Sequence, residues 1–465
     1  MKENNLSRFE QMTKTPVQKL ILRLSVPTVL SMMSTTIYNL VDTAFVGTLG
    51  NSASGAVGVI FGFMAILQAI GFMFGQGCGS ILARRLGSKD PEGASETAST
   101  GFFFSFLFGI LVSVVCALLL DPLIAVLGST ETIAPYAKTY IYYILSTAPF
   151  VVSSFTLNNI LRYEGKAALG MIGLISGGLL NIAGDAIFMF GFHMDIAGAG
   201  LSTALSQVIS FGILLFMFLS GRTACKLSPR KIRFRSLLVF RIMWTGLPSL
   251  LRQSLGSIGT ILLNQESAVC AGDAGVAAMS IVGKIAFFLF AIALGVGQGF
   301  QPVCGFNYGA GKYSRIRTGY RFTLLFSIAV MIVLTVPAII FAEPIVWTFR
   351  HDSQVAEIGT RALRLLCVAQ IFLPICMVTE MLMQSSGKSL SASILSALRG
   401  GALFIPALII LKELRGMAGV QEAQPIAFLL SIPLAIWFAR SYFRTLPPED
   451  REVEDSPPPP MPDPE

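Results

Sequence analysis

The sequence predicts an all-α polytopic membrane protein with twelve transmembrane helices in two six-helix lobes, related by a parallel internal repeat. Its composition is the first observation: 53% of the 465 residues are hydrophobic and only 13% are charged, against about 25% charged in an ordinary soluble protein. The second is that apolar runs of about 20 residues, long enough to cross a bilayer core, recur along the whole chain. The third is a repeat of sequence motifs between the two halves.

The apolar runs number twelve, which sets the expected order of spans. They lie near residues 24 to 46, 56 to 80, 98 to 120, 137 to 159, 169 to 191, 198 to 219, 246 to 268, 276 to 303, 320 to 342, 363 to 386, 392 to 411 and 423 to 440.

The basic residues between these spans predict the orientation. Even-numbered connections such as "ARRLGSKDPE" and "GRTACKLSPRKIRFR" carry Lys and Arg, whereas odd-numbered ones such as "GTLGNSASGA" are nearly free of them. This is the positive-inside pattern, and it places both termini in the cytoplasm of a multi-pass plasma-membrane protein. The basic excess therefore orients the chain and does not indicate nucleic acid, although the connection from Arg222 to Arg241 also has the charge to attract anionic lipid.

Motifs recur between the two halves at a constant offset. "LSVPTVL" around Pro27 matches "TGLPSLL" around Pro248, and "GFMFGQGCGS" matches "LGVGQGFQP". From Gly75 to Gly297, and again from Gly165 to Gly387, the offset is 222 residues. Six spans in each half make the repeat parallel, a plan that recurs in transporters with alternating access.

The repeat and the spans divide the chain into five segments. Residues 1–23 form a cytoplasmic N-terminal segment, 24–220 the N-lobe, 221–245 a cytoplasmic linker, 246–445 the C-lobe, and 446–465 an acidic, Pro-rich tail. The tail cannot bury a core, so we expect it to be disordered and expect truncation after Arg444 to leave transport intact.

Two acids of the first half are the main candidates for function, because ionisable groups inside spans by default mark pathways. Asp42 and Asp185 lie at similar depth in the first and fifth spans, where lost solvation favours the protonated form. Tyr38 and Asn181 each precede one of these acids by one helical turn. Thr203, together with Asn158 or Asn159, would complete a polar cluster. The alternative is that both acids are structural hydrogen-bond acceptors.

The charges of the second half favour structural roles. We expect Glu266 to pair with Lys284, and Glu380 with Arg399, while Arg252 extends to the cytoplasmic surface. Aromatic and Met side chains of the cleft, such as Phe61, Phe155, Met279 and Phe287, would suit flat hydrophobic cations.

Motifs for an enzyme are missing from the sequence. Only two His occur, His193 and His351, and there is no HExxH, GxSxG or GxxxxGK[ST]. The seven Cys have no CxxC spacing. We therefore expect no enzyme activity and, without an ATP-binding module, a process driven by an ion gradient.

Several motifs together resemble those of the multidrug and toxic compound extrusion (MATE) family, in its bacterial multidrug branch. They are "LVDTAFVG", "LRYEGK", "LLNIAGDAIFMFG" followed by "IAGAGLSTALSQ", and the second-half "LPSLLRQ" and "FNYGAGKY", from about residue 20 to 440. Some relatives carry a Glu where this chain has Gly256 and an Asp where it has Ile375, so the resemblance does not extend to a C-lobe cation site of that type.

The resemblance implies export of amphipathic, often cationic compounds against an influx of H+ or Na+. It makes Asp42, Asp185, Asn181 and Thr203 the ion-coupling cluster, with Na+ a possible occupant of Asp42, Asp185 and Asn181, and leaves Glu164 a gate or structural residue. No cofactor is expected beyond the coupling ion. The expected partners are small amphipathic or cationic substrates and membrane lipids, with no nucleic acid and the chain as a monomer. The alternative is a flippase or exporter of a lipid-linked or anionic metabolite, which would use Lys284 and Arg399.

Overall fold

The computed structural model describes residues 8–127, 129–234 and 236–451. All regular secondary structure in these ranges is helical, as the composition predicts. The tail beyond residue 451, which we expect to be disordered, lies outside the described residues.

The first half contains eight helices. They are α1 (Arg8–Lys14), α2 (Val17–Gly47), α3 (Asn51–Gly87), α4 (Pro91–Leu118), the short α5 (Leu120–Val126), α6 (Ala134–Tyr163), α7 (Ala167–Asp185) and α8 (Asp195–Leu219). A π-helical turn, Ala186–Gly191, continues α7, and a 3₁₀ turn, Pro229–Lys231, lies in the linker. Helices α2, α3, α4, α6, α7 and α8 are long and apolar enough to cross a membrane.

The second half repeats this plan with more breaks. It comprises α9 (Ser236–Gly309), α10 (Tyr313–Ile340), α11 (Ala342–Phe349), α12 (Ser353–Ile371), α13 (Leu373–Ser385), α14 (Ser389–Ala397), a π-helical turn (Leu398–Ala402), α15 (Phe404–Arg415) and α16 (Met417–Thr445).

Twelve spans result once the breaks in these helices are considered. Helix α9 contains two spans, because its backbone leaves helical geometry at Ala271 and Gly272. Helices α12 and α13 form one span bent by 45°. The π-helical turn joins α14 and α15 into one continuous stretch, Ser389–Arg415. The described residues therefore contain the twelve spans that the sequence predicts.

Residues with positive φ in the connections between helices recur at the same 222-residue offset. Gly50, Lys89 and Gly165 have positive φ, and so do Gly272, Gly311 and Gly387, each 222 residues further on. Positive φ is readily adopted by glycine, which has no Cβ, and five of these six positions are glycine. The repeat therefore extends from sequence motifs to the geometry of the connections.

Two compact units divide the chain within its first and seventh spans. One is Leu30–Leu250, here called the N-unit; the other comprises the described residues of Met1–Val29 and Leu251–Glu465, here called the C-unit. The beginning of α2 thus lies in the C-unit, and the beginning of α9 in the N-unit. The predicted lobes instead put residues 24–29 in the N-lobe and residues 246–250 in the C-lobe.

Glycines explain why the beginning of α2 belongs to the C-unit and the beginning of α9 to the N-unit, because they let helix backbones come into contact. In the N-unit, a Cβ added at Gly77 would lie 1.9 Å from the Ile242 carbonyl oxygen, and one at Gly246 would lie 1.8 Å from that of Met73. In the C-unit, a Cβ at Gly299 would meet the Ser25 side chain, 2.1 Å from its Oγ. Residues 77 and 299 are related by the same offset, and small residues at such contacts are typical of membrane helices.

The first residues of the tail are held in the C-unit, so the expectation of disorder is wrong for residues 446–451. Arg317 donates hydrogen bonds to the carbonyls of Leu446, Pro447 and Pro448. The Asp450 carboxylate accepts from the amide and hydroxyl of Ser314, each at 2.8 Å. The segment 446–451 therefore forms a strap over the start of α10.

Gly77→Ala is expected to destabilise the protein, because no rotamer can relieve a clash between Cβ and a backbone carbonyl. The control is Gly212→Ala, a helical glycine of the N-unit whose Cβ would meet nothing within 4 Å. Melting temperatures of the purified variants check this. Equal temperatures for Gly77→Ala and the wild type would contradict the packing described.

Truncation after Arg444 is now expected to lower the melting temperature by a few degrees, since it removes the strap and its hydrogen bonds. Truncation after Arg451 keeps the strap and should change neither stability nor transport. If both truncations melt like the full chain, the strap contributes nothing.

Candidate functional site

Two carboxyl groups face each other inside the N-unit. Asp42 lies near the C-terminal end of α2 and Asp185 is the last residue of α7, with 8% and 0% exposure. Their side chains are within hydrogen-bonding reach of each other. Asp42 Oδ1 and Asp185 Oδ2 have no donor among the described residues. Because ionised carboxylates only accept hydrogen bonds and repel each other, a proton or a cation between the two groups would stabilise this pair.

Amide and hydroxyl groups of α7 and α8 surround Asp185. Asn181 Nδ2 lies 3.5 Å from Asp185 Oδ1, 3.2 Å from Thr203 Oγ1 and 3.3 Å from Ser202 Oγ. Ser202 donates to the Asn181 carbonyl at 2.8 Å. These contacts fix the Asn181 amide one turn before the acid, on the same face of α7, as its spacing predicts.

Two tyrosines and a small cavity complete the cluster. The Tyr38 side chain is hydrogen-bonded to Gln207 and lies in the field of Asp42. The Tyr140 and Thr203 hydroxyls are 3.4 Å apart. A cavity of about 10 Å³, close to the size of one water, adjoins Thr203 and Gln207. Phe155, a predicted cleft residue, also lines it.

The backbone of α7 changes immediately after Asp185. The turn Ala186–Gly191 is π-helical, a feature often found at functional sites. One residue earlier, Gly184 allows close approach of α8: a Cβ there would lie 2.5 Å from Ser202 Oγ. Asp185 therefore lies where α7 contacts α8 closely and where its backbone changes from α-helical to π-helical geometry.

The atoms of this cluster that could bind an ion are oxygens. The Asn181 amide nitrogen donates hydrogen bonds instead. Two carboxylates, an amide oxygen and hydroxyls suit a proton or a hard cation such as Na+. The described residues contain no group of three or more His, Cys, Asp or Glu that could hold a metal ion, so any metal here would rely on the two acids, Asn181 and the hydroxyls.

Asn158 and Asn159 have other neighbours than this cluster. Asn158 packs on Gly170, where an added Cβ would lie 2.7 Å from its Nδ2. Asn159 donates to the Phe155 carbonyl at 2.7 Å and accepts from Arg162 at 2.5 Å. The prediction that either would complete the acidic cluster is wrong.

Glu164 binds the linker between the two repeats. Its carboxylate accepts from the amides of Ala224, at 3.0 Å, and Cys225, at 2.9 Å, and its exposure is 1%. The linker is held further along by Ser95, Ser99 and Thr100 of α4, which bind its backbone between Lys226 and Arg233. The linker is therefore attached to the N-unit along much of its length.

The charged residues of the C-unit pair differently from the predictions. Glu266 lies 3.1 Å from Lys412, not beside Lys284, which is exposed. Glu380 pairs with Arg252 at 2.5 Å, and both side chains are nearly fully buried. Arg252 therefore does not extend to the surface. The predictions were wrong because sequence spacing does not show which helices are neighbours.

Arg399 lies close to this buried pair. It is 6% exposed and within the electrostatic reach of Glu380 and Arg252. Its guanidinium contacts the rings of Phe290 and Phe428, with centroids at 5.7 and 6.0 Å. Its Nη1 has no hydrogen-bond partner in the described part of the chain. The cluster of Arg252, Glu380 and Arg399 thus carries an excess of one positive charge.

The remaining predicted cleft residues differ in exposure. Met279 is buried, whereas Phe287 and Phe61 are half exposed. Met279, Lys284 and Phe287 lie in the C-unit, and the acidic pair lies in the N-unit.

Sequence reasoning missed three members of the acidic cluster: Ser202, Tyr140 and Gln207. Ser202 and Gln207 flank Thr203 in "LSTALSQ", and polar spacing along one span was a signal for them. Tyr140 sits among other tyrosines in "TYIYY", and only helix packing identifies which one faces the acids.

Comparison with known proteins identifies the family. The model of the MatE family matches residues 27–187 and 248–409, one stretch in each repeat. The chain belongs to the MatE family. The two matched stretches include both acids of the pair, and one stretch lies in each internal repeat.

Relatives of this MatE chain extend over nearly its whole length. It is 26% identical over 443 residues to the multidrug export protein MepA of Staphylococcus haemolyticus, covering 95% of this chain and 96% of that protein. It is 27% identical over 422 residues to MepA of Staphylococcus aureus strain NCTC 8325, covering 90% and 92%.

Solved structures of MATE transporters share its fold. The crystal structure of a MATE protein in complex with MaL6 has a TM-score of 0.89 and 26% identity, covering 95% of this chain and 99% of the other. An outward-facing multidrug resistance MATE transporter of the MOP superfamily has the same score, identity and coverage. The helices and the family together make the chain a multi-pass membrane protein.

Glu164→Ala is expected to detach part of the linker, because two backbone amides would lose a charged acceptor that contributes about 1.5–3 kcal/mol per bond. Trypsin should then cleave at Arg222 or Lys226 at least tenfold faster than in the wild type, measured by mass spectrometry of the fragments. Glu131→Ala, an exposed acid of the same unit, is the control. Equal cleavage rates in all three proteins would show that Glu164 does not hold the linker.

Proposed function

We propose that this MatE chain is a secondary active exporter of amphipathic, cationic compounds, driven by inward movement of H+ or Na+ across the plasma membrane. The observation that carries the proposal is the buried pair of Asp42 and Asp185, whose carboxyl groups a proton or cation would stabilise. The printed names of the relatives, multidrug export proteins aligned over nearly the full length, support export of several compounds.

The mechanism follows from the charge of the pair. With an ion bound, one negative charge is neutralised and the cluster of Asn181, Ser202 and Thr203 closes around Asp185. When the ion leaves, repulsion between the two carboxylates separates them. Ion and substrate thus favour different arrangements of α2 and α7, and each moves the conformational equilibrium only through that difference in affinity.

For coupling, the ion must reach the pair from outside the cell and must be released from it into the cytoplasm. The water-sized cavity beside Thr203 and Gln207 provides space for about one water next to the cluster. Ion binding outside would favour the inward-facing state, in which the substrate enters from the cytoplasm or the inner leaflet. Export of the substrate then accompanies entry of the ion.

A second candidate is export of an anionic or lipid-linked compound on the same fold. The observation that favours it is the positive excess at Arg252, Glu380 and Arg399, where a buried guanidinium nitrogen has no acceptor among the described residues. Such a group in a membrane span is costly unless it binds something, and a carboxylate or phosphate of a substrate would satisfy it.

The test is efflux of a fluorescent organic cation from proteoliposomes under an imposed proton or sodium gradient. Asp42→Asn and Asp185→Asn keep the size of each side chain but remove its charge, and each is expected to lower gradient-driven efflux at least tenfold. Asp121→Asn, which changes an exposed acid paired with Lys138 in the same unit, is the control and should transport normally.

Two results would contradict the first proposal. Normal coupling in both Asn variants would make the two acids structural. If neither gradient moves the cation but one of them moves an anionic dye of similar size, the second candidate replaces the first.

A further inference from the structure

A buried guanidinium group inside the C-unit has a nitrogen without a hydrogen-bond acceptor. Arg399 belongs to the π-helical turn Leu398–Ala402, well inside the apolar stretch Ser389–Arg415. It is nine-tenths buried, and no described residue accepts a hydrogen bond from its Nη1. A guanidinium keeps its charge in proteins, and a charge inside a membrane span is costly unless something binds it.

The neighbours of Arg399 compensate its charge only in part. The rings of Phe290 and Phe428 lie 5.7 and 6.0 Å from the guanidinium. Such contacts attract the charge but do not replace an acceptor at Nη1. Glu380 is within electrostatic reach of Arg399, but its carboxylate is bound to Arg252 at 2.5 Å. An additional acceptor at Nη1 would complete the site.

A second hydrogen-bond donor is available one helical turn before Arg399. The Ser396 hydroxyl is buried and has no partner among the described residues. The same holds for Ser393, a further turn back. Residues three apart are neighbours on a helix surface, so these hydroxyls lie on the side of α14 that leads to Arg399. This side of the helix therefore carries buried donors that lack an acceptor.

The π-helical turn that carries Arg399 packs closely on α9. A Cβ added at Gly400 would lie 3.0 Å from Leu255 Cβ, and one at Gly401 would lie 3.1 Å from Leu255 Cδ2. Leu255 is one turn after Arg252, whose side chain is nearly fully buried with that of Glu380. A bulky compound would reach Arg399 only after these helices separate, whereas a monatomic ion is small enough to be held among them.

We propose that Arg399 and Ser396 bind a small monovalent inorganic anion, chloride, inside the C-unit. A charge-assisted hydrogen bond from Nη1 and a second bond from the Ser396 hydroxyl satisfy both donors with one ion. Because a guanidinium is weakly hydrated, it is suited to such pairing in apolar surroundings.

The chloride is a resident ligand of the fold. In the second candidate function, by contrast, the exported compound supplies the anionic group. The proposal is therefore independent of which compound the protein exports, and a binding measurement without any ion gradient tests it.

Melting of the full-length protein in detergent, with KCl exchanged for potassium gluconate at constant K+, tests the proposal. Above its Kd, chloride is expected to raise the wild-type melting temperature with the logarithm of its concentration, because it binds the folded state. Arg399→Gln should abolish this response, and Arg399→Lys should keep part of it. Arg350→Gln, which changes an exposed Arg of the same unit, is the control and should respond like the wild type.

Ser396→Ala tests the second donor without changing the net charge. The chloride concentration at which the melting temperature begins to rise should be about tenfold higher than in the wild type, the effect of one lost hydrogen bond to an ion. Ser327→Ala removes another buried hydroxyl of the C-unit that has no partner among the described residues, and should leave this concentration unchanged. This pair of variants decides the question if Arg399→Gln does not fold.

Four results would overturn the proposal. Equal melting of the wild type in chloride and gluconate would exclude a chloride site. Equal chloride responses of the wild type and Arg399→Gln would show a general effect of salt. Equal responses of Ser396→Ala and the wild type would remove the hydroxyl from the site. Stabilisation through Arg399 by benzoate, at concentrations at which chloride has no effect, would assign the site to a carboxylate-bearing substrate.

Discussion

Repulsion between two buried carboxyl groups is the constraint on which the proposed mechanism of this protein depends. Asp42 and Asp185 come from different helices and face each other where few hydrogen-bond donors reach them. Water would screen such a pair, but the interior of a membrane unit does so poorly. In the proposed mechanism a proton or cation between the acids stabilises the pair, and each change of occupancy changes the force between α2 and α7. An ion gradient would act on the protein through this force.

Contacts elsewhere in the N-unit hold its helices firmly together, so that this force would act on whole helices. Close glycine contacts fix α3 against the start of α9, and hydrogen bonds from Ser202 fix α8 against α7. Glu164 and the hydroxyls of α4 hold the linker to the same unit. Because these contacts join backbone to backbone or to short side chains, we expect a change at the acids to move whole helices.

Much of this was predictable from the sequence, because membrane proteins obey simple composition rules. Span length and the 222-residue offset predicted the twelve helices and the repeat. The cost of an acid in a span pointed to Asp42 and Asp185, and one-turn spacing pointed to Asn181. Pairs between distant helices were not predictable: Glu266 binds Lys412 and Arg252 binds Glu380, because packing decides which faces meet. The exchange of α2 and α9 between units was missed for the same reason.

The most direct test of the central claim is to count ions released when substrate binds to the purified protein. A pH-indicator dye in weakly buffered detergent solution reports protons, and a sodium-selective probe reports Na+, while a cationic substrate is titrated in. We expect about one H+ or Na+ to be released per substrate bound, and none from the double variant Asp42→Asn, Asp185→Asn. Equal release from the wild type and the double variant would show that the coupling ion is held elsewhere.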